Sequence, residues 1–220
     1  MITISFTKGM ILMIKNIIFD VDGTLLETKE VGLLALQKTL KDDYQIDKTI
    51  AELEFAFSST AKQVFNGFNI PEEQHATAAQ SVMKNAFEFI NEVQTFDGIP
   101  ELLAQLKARQ INLIIVTSED QQEFKAIFQQ TAINSFFNQA VTADQVDNPK
   151  PDPEPTKKAL QLLQANSSET LFIGDSRSDI GSAHGANVAF GLAGWGANEK
   201  DDFSDAEYLF QQPADVLKVL

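Results

Sequence analysis

The 220-residue sequence contains no cysteine. That excludes disulfides, thiolate nucleophiles and zinc–thiolate sites. Histidine is nearly as scarce. His75 and His184 stand apart without metal-ligand spacing or a partner, and read as structural or surface residues. No apolar run reaches the length of a bilayer span. Met10–Ile14 is a short apolar patch, but Lys15 breaks it and no small-residue cleavage site follows, which argues against a secretory signal. Residues 1–13 then read as a tail with no part in the chemistry, with Met10 or Met13 as alternative starts and the cytoplasm as the expected location. Positive charge is in deficit too. A net charge of −14 disfavours nucleic acid and anionic membrane as partners. A small anionic ligand stays compatible, because screening over roughly 8 Å leaves local charge to decide binding inside a cleft. Such a cleft needs its own cation, either a metal ion or a placed lysine.

What the sequence does contain is a series of short apolar runs: Lys15–Asp20, Ile111–Thr117, the weaker Gln139–Thr142, Thr170–Gly174 and Val188–Phe190. Helical patterns at Pro100–Gln110, Gln121–Thr131, Glu154–Gln164 and Asp179–Gly185 separate most of them. Near-continuous apolar strands alternating with helices predict a parallel sheet covered on both faces. The expected fold is α/β, a doubly wound, Rossmann-like core. One stretch breaks the alternation. Glu27–Gln94 shows helical periodicity and no convincing strand. Leu33, Leu34, Leu36 and Leu40 fit one amphipathic helix, and Val82, Ala86, Phe89, Ile90 and Val93 another. The expected division is residues 1–26 and 95–220 as catalytic core, with 27–94 as an inserted helical cap hinged near Leu26–Thr28 and Thr95–Gly98.

Candidate chemistry collects where the strands end. Asp20 and Asp22, two apart after an apolar strand, point the same way on extended chain. Their mutual repulsion in a desolvated place would be offset by a cation. Gly23 allows the tight turn that follows. The same hexapeptide also fits an acidic turn that caps a helix. Asp175 follows the strand Thr170–Gly174, with Asp179 four residues on, where it also fits a helix cap. Carboxylate-rich oxygen sites suit Mg²⁺. Thr117 and Ser118 end the strand Ile111–Val116, so a hydroxyl there can bind a phosphate oxygen or cap the next helix. Lys150 sits between Pro149 and Pro151 in a stiff loop, which suits either a positioned ammonium or a solvated connector. Trp195, between Gly194 and Gly196, either lines the entrance to the site or packs over the sheet edge.

These pieces, in this order, resemble the haloacid dehalogenase superfamily, in particular its phosphoglycolate-phosphatase-like branch with a helical cap. The similarity runs from Lys15 to the C-terminus. The resemblance implies an Mg²⁺-dependent hydrolase of a small phosphorylated metabolite, of phosphoglycolate or sugar phosphate type. Asp20 would be the nucleophile that becomes an aspartyl phosphate, and Asp22 the acid and base. Asp20, Asp22, Asp175 and Asp179 would surround the metal. Thr117, Ser118, Gly23 and Lys150 would bind the phosphoryl group. Ser58, Ser59 and Thr60 in the cap would contact the leaving group or cap a helix, and a missing glycine in that loop sets phosphoglycolate itself apart. A sugar phosphomutase and a pyrophosphatase are alternatives on the same fold. A non-catalytic binding protein would have lost one of these residues, and none is missing. Monomer and homodimer are both compatible.

Overall fold

The computed structural model describes residues 14–58 and 61–220. The expectation for residues 1–13 therefore lies outside the described residues, as do Ser59 and Thr60 and the side chain of Ser58.

The chain opens with β1 (Asn16–Phe19), a strand buried along its whole length. A two-residue strand β2 (Leu26–Glu27) follows. Four helices come next: α1 (Lys29–Tyr44), α2 (Ile50–Leu53), α3 (Ala61–Gly67) and α4 (His75–Ala86). The return strand β3 (Gln94–Thr95) pairs antiparallel with β2. The sheet then resumes through α5 (Ile99–Ala108), β4 (Asn112–Val116), α6 (Gln121–Ala126), β5 (Ala140–Val141) and α7 (Glu154–Leu163). It finishes with β6 (Thr170–Gly174), α8 (Arg177–Gly185), β7 (Ala189–Ala193) and β8 (Tyr208–Phe210).

Six strands in the order β5-β4-β1-β6-β7-β8 form one sheet in which every pairing is parallel. The doubly wound expectation holds. Successive side chains of β1 serve opposite faces, as strand geometry requires. Ile17 and Phe19 join a cluster with Leu102, Leu103, Leu106 and Phe128. Ile18 joins Ile114, Phe172 and Ile180 on the other side. Each such fully buried Ile or Phe contributes about 1.5–3 kcal/mol relative to exposure. Residues 29–92 build a separate cluster from Leu33, Leu36, Leu40, Leu53, Val64, Phe65 and Ile70. Among the described residues no helix is long and apolar enough to cross a membrane.

Several expected bounds move. The strand expected over Val188–Phe190 runs to Ala193. Gly191 lets it continue, because a Cβ there would strike the Phe210 ring of β8. That last strand was not expected; it is three residues long and its middle residue, Leu209, is exposed. The helix expected to reach Thr131 stops at Ala126 and passes into 3₁₀ turns, with Phe128 buried in the core. The weak strand at Gln139–Thr142 keeps only its two central residues.

Candidate active site

In a parallel sheet every strand points its carboxyl end to one edge, and ligands bind there. Asp20 follows β1, Thr117 follows β4 and Asp175 follows β6, on three adjacent strands. Lys150 comes from the loop before α7. Its ammonium donates to Asp20 Oδ1 at 2.6 Å, to Asp179 Oδ1 at 2.6 Å and to the Val116 carbonyl at 3.4 Å. All three ammonium protons are thereby used. Burial alone would lower the Lys150 pKa; Asp179 and Asp20 outweigh it and hold the group above its ordinary value. The solvated-connector reading of Lys150 is set aside, since its side chain is 2% exposed.

Asp179 does two things. Its Oδ2 accepts from the backbone N–H of Ser176 at 3.0 Å and from the Ser176 hydroxyl at 2.5 Å, while Ser176 Oγ accepts from Asp179 N–H. This reciprocal cap starts α8 two residues earlier than expected. The other carboxylate oxygen faces Lys150. Capping and a place in the charge cluster, alternatives in sequence, coexist here.

Carboxylate oxygens of Asp20, Asp175 and Asp179 lie within 4.8 Å of one another. One lysine cannot neutralise three carboxylates. Asp20 is pushed up to about 7 by burial, with the charge of Asp179 adding to it. Asp175 is also raised, by burial and then by Asp20 and Asp179. Among the described residues the donor set is oxygen only, which fits a hard divalent cation of the Mg²⁺ kind. Gly23 belongs to this cradle: it has φ +74°, and a Cβ there would collide with the Asp175 carboxylate.

Asp22 is half-buried on the turn after Asp20. Burial raises its pKa, and the Thr28 side chain at the start of α1 works against the shift. Thr117 is 2% exposed, and its hydroxyl accepts from Glu119 N–H at 3.1 Å. Ser118 next to it is exposed. Trp195 is half-buried beside the site, its indole N–H donating to the Thr24 carbonyl at 2.9 Å, while the Thr24 hydroxyl donates to Asp175 Oδ1 at 3.2 Å. Trp195 also lines a cleft of about 470 Å³ with Gly23, Thr28 and Phe96. The histidines stand apart from the cluster, but both have partners: His75 Nε2 meets the Ile70 carbonyl at 2.9 Å, and His184 Nε2 meets Glu207 Oε2 at 3.1 Å.

One residue escaped the sequence reading. That residue is Glu119, just past the end of β4. It is 8% exposed, and its Oε2 is buried without a hydrogen-bond partner. Burial pushes its pKa up to about 9, with Asp22, Asp20 and Glu123 adding to the shift. No sequence pattern marks it; only its position on the rim of the carboxylate cluster does.

A parallel sheet with a carboxylate–lysine cluster at its carboxyl edge, and helices inserted after the first strand, defines a doubly wound, Rossmann-like α/β core with an oxygen-donor cluster able to hold a metal ion. The sequence profile of the haloacid dehalogenase-like hydrolases matches residues 17–193, and the chain belongs to that family. It is accordingly a hydrolase. A pyrophosphatase PpaX of Oceanobacillus iheyensis is 29% identical over 217 residues, covering 94% of this chain and 97% of its own. The crystal structure of a provisional phosphoglycolate phosphatase of Lactobacillus plantarum superposes with a TM-score of 0.84 at 28% identity, over 94% of this chain and 99% of that one. Rhodobacter sphaeroides CbbY, solved with phosphate, shares the fold with a TM-score of 0.75 at 21% identity, over 93% and 96% of the two chains.

Proposed function

We propose that this protein is a Mg²⁺-dependent phosphatase that hydrolyses a small phosphate monoester through an aspartyl phosphate on Asp20. The observation that carries the reading is the buried Lys150 bridging Asp20 and Asp179, with Asp175 beside them. Asp20 Oδ1 is held by Lys150, which leaves Oδ2 as the attacking oxygen. Asp22, on the following turn, donates a proton to the departing alcohol and then takes one from the water that hydrolyses the aspartyl phosphate, releasing phosphate and restoring the Asp20 carboxylate. Its upward-shifted pKa suits the donor role. Thr117 donates its hydroxyl to a phosphoryl oxygen, and Lys150 exchanges its long 3.4 Å contact with the Val116 carbonyl for a contact with another, with Ser118 at the exposed side. Asp20, Asp175 and the carbonyl of Asp22 would hold Mg²⁺, with Asp179 behind them orienting Lys150. When bound, Mg²⁺ neutralises the carboxylates and polarises the phosphoryl group. Residues 27–94 act as a cap over the strand ends, with the β2–β3 ribbon as its stem.

The test is hydrolysis of p-nitrophenyl phosphate with Mg²⁺ and with EDTA, for the wild type and Asp20→Asn. The expected result is Mg²⁺-dependent release of nitrophenol that the variant lacks. Equal rates in the two proteins would sink the proposal. The name of the Oceanobacillus relative favours a second reading, hydrolysis of pyrophosphate by the same residues. Phosphate release from pyrophosphate exceeding that from every monoester would select it. A phosphomutase would interconvert isomers and release no phosphate.

A further inference from the structure

Glu119 carries a feature that the phosphatase reading does not use. Its backbone is fixed at both ends: its N–H donates to Thr117 Oγ1 at 3.1 Å, and its carbonyl accepts from Ala143 N–H at 2.9 Å. The side chain therefore sits in a defined place, two residues past the hydroxyl assigned to the phosphoryl group. The charges that act most strongly on its carboxyl are those of Asp22, Asp20 and Glu123, with Lys150 opposing them. Lys150 is already saturated by Asp20, Asp179 and the Val116 carbonyl. Among the described residues Glu119 Oε2 is thus a buried polar atom with no hydrogen-bond partner. Buried polar atoms are nearly always paired, and leaving one unpaired is costly. A donor arriving with the ligand removes that cost.

The chain's cations point to the same conclusion. Its only arginines are Arg109 and Arg177. Arg109 donates to the Leu217 carbonyl, and Arg177 pairs with Asp205. No arginine fork reaches the site to clamp a second phosphate or carboxylate. The cleft beside Gly23 is lined by Lys29 and Lys200 but also by Glu27, Glu54 and Glu199, so it offers no excess of positive charge.

We infer that Glu119 is a specificity residue: its unpaired carboxyl oxygen accepts a hydrogen bond from a hydroxyl or ammonium group on the leaving group, in a pocket whose surrounding carboxylates, Asp22, Asp20 and Glu123, disfavour a second anion. This inference rests on the phosphatase reading and names its substrate class: phosphate esters of polyols or amino alcohols. Of the charges acting on Glu119, that of Asp22 is the strongest, and Asp22 is the group proposed to protonate the departing oxygen, which puts the donor near the scissile bond. Repulsion of wrong substrates is as much a part of selectivity as attraction of right ones.

The experiment measures kcat/KM with Mg²⁺ for glycerol 1-phosphate and phosphoethanolamine against phosphoglycolate and pyrophosphate. It uses the wild type, Glu119→Gln and Glu119→Lys, each checked for folding by its thermal midpoint. The wild type is expected to favour the two donor-bearing esters by about tenfold or more. Glu119→Gln should narrow that ratio and Glu119→Lys should reverse it. Should Glu119→Lys fail to fold, the nearly isosteric Glu119→Gln still decides. A wild type that favours either anionic substrate, or a ratio that stays within about twofold in a folded variant, would overturn the inference while leaving the phosphatase intact. Absence of turnover on all four substrates and on p-nitrophenyl phosphate would remove both.

Discussion

Lys150 uses all its protons inside the protein and is 2% exposed, so its replacement tests the charge balance directly. Lys150→Met leaves Asp20, Asp175 and Asp179 without their counter-charge. Breaking a buried ion pair from one side costs about 3–5 kcal/mol. Urea denaturation in EDTA should report a loss of that size, with Mg²⁺ restoring part of it. Asp175→Asn acts in the opposite direction. The amide still accepts from Thr24 and removes one of the crowded charges. Without metal this variant should melt a few degrees above the wild type, at about 2–4 °C per kcal/mol for a chain of this size. The upward shift that Mg²⁺ gives the wild type should be lost. Gly23→Ala is expected to abolish Mg²⁺ stabilisation, because its Cβ enters the Asp175 carboxylate and its positive φ strains any L side chain. Retained Mg²⁺ binding by calorimetry would contradict that account.

At the scale of elements, the start of α8 links stability to the site. Ser176 and Asp179 cap the helix reciprocally, and the same Asp179 holds Lys150. Ser176→Ala removes the hydroxyl that fixes one Asp179 oxygen. A lost N-cap costs about 1 kcal/mol. The expected result is that loss in urea denaturation together with a fall in kcat, since Lys150 is oriented through Asp179. A stability loss with unchanged kcat would separate the cap from the site. The β4 end is the second such element. Thr117 accepts from Glu119 N–H, so one turn positions both the hydroxyl proposed to bind the phosphoryl group and the buried glutamate.

For the whole molecule, the crowded carboxylates set a pH dependence. Asp20 has a folded pKa of about 7 and Glu119 about 9, both above their unfolded values, and Asp175 is shifted the same way. A carboxyl raised on folding binds more protons in the native state than in the unfolded one. Its contribution is therefore favourable at low pH and is lost as pH rises through the folded pKa. The exposed carboxylates that are lowered, Glu52 and Asp205 among them, act oppositely and only at the acid end. In EDTA the thermal midpoint should fall from about pH 5 to about pH 8. Saturating Mg²⁺ should flatten that fall. A midpoint that climbs steadily to pH 8 without metal would contradict the picture of uncompensated buried charge.

What the sequence determined by itself was whatever local pattern encodes. β1, β4 and β6 were legible because both faces of a central parallel strand are buried, leaving apolar runs with an abrupt polar end. Asp20, Asp175, Thr117 and Lys150 were legible because each stands at such an end or is braced by prolines. Three things only the tertiary structure decided. β8 is too short for a pattern and exists because β7 offers it an edge and Gly191 makes room for Phe210. The two roles of Asp179 depend on Lys150 arriving from a loop distant in the chain. Glu119 is an ordinary acidic residue in sequence; its burial against other carboxylates comes from strands brought together across the sheet. Burial and electrostatic neighbourhood are properties of the assembled fold, and no run of residues carries them alone.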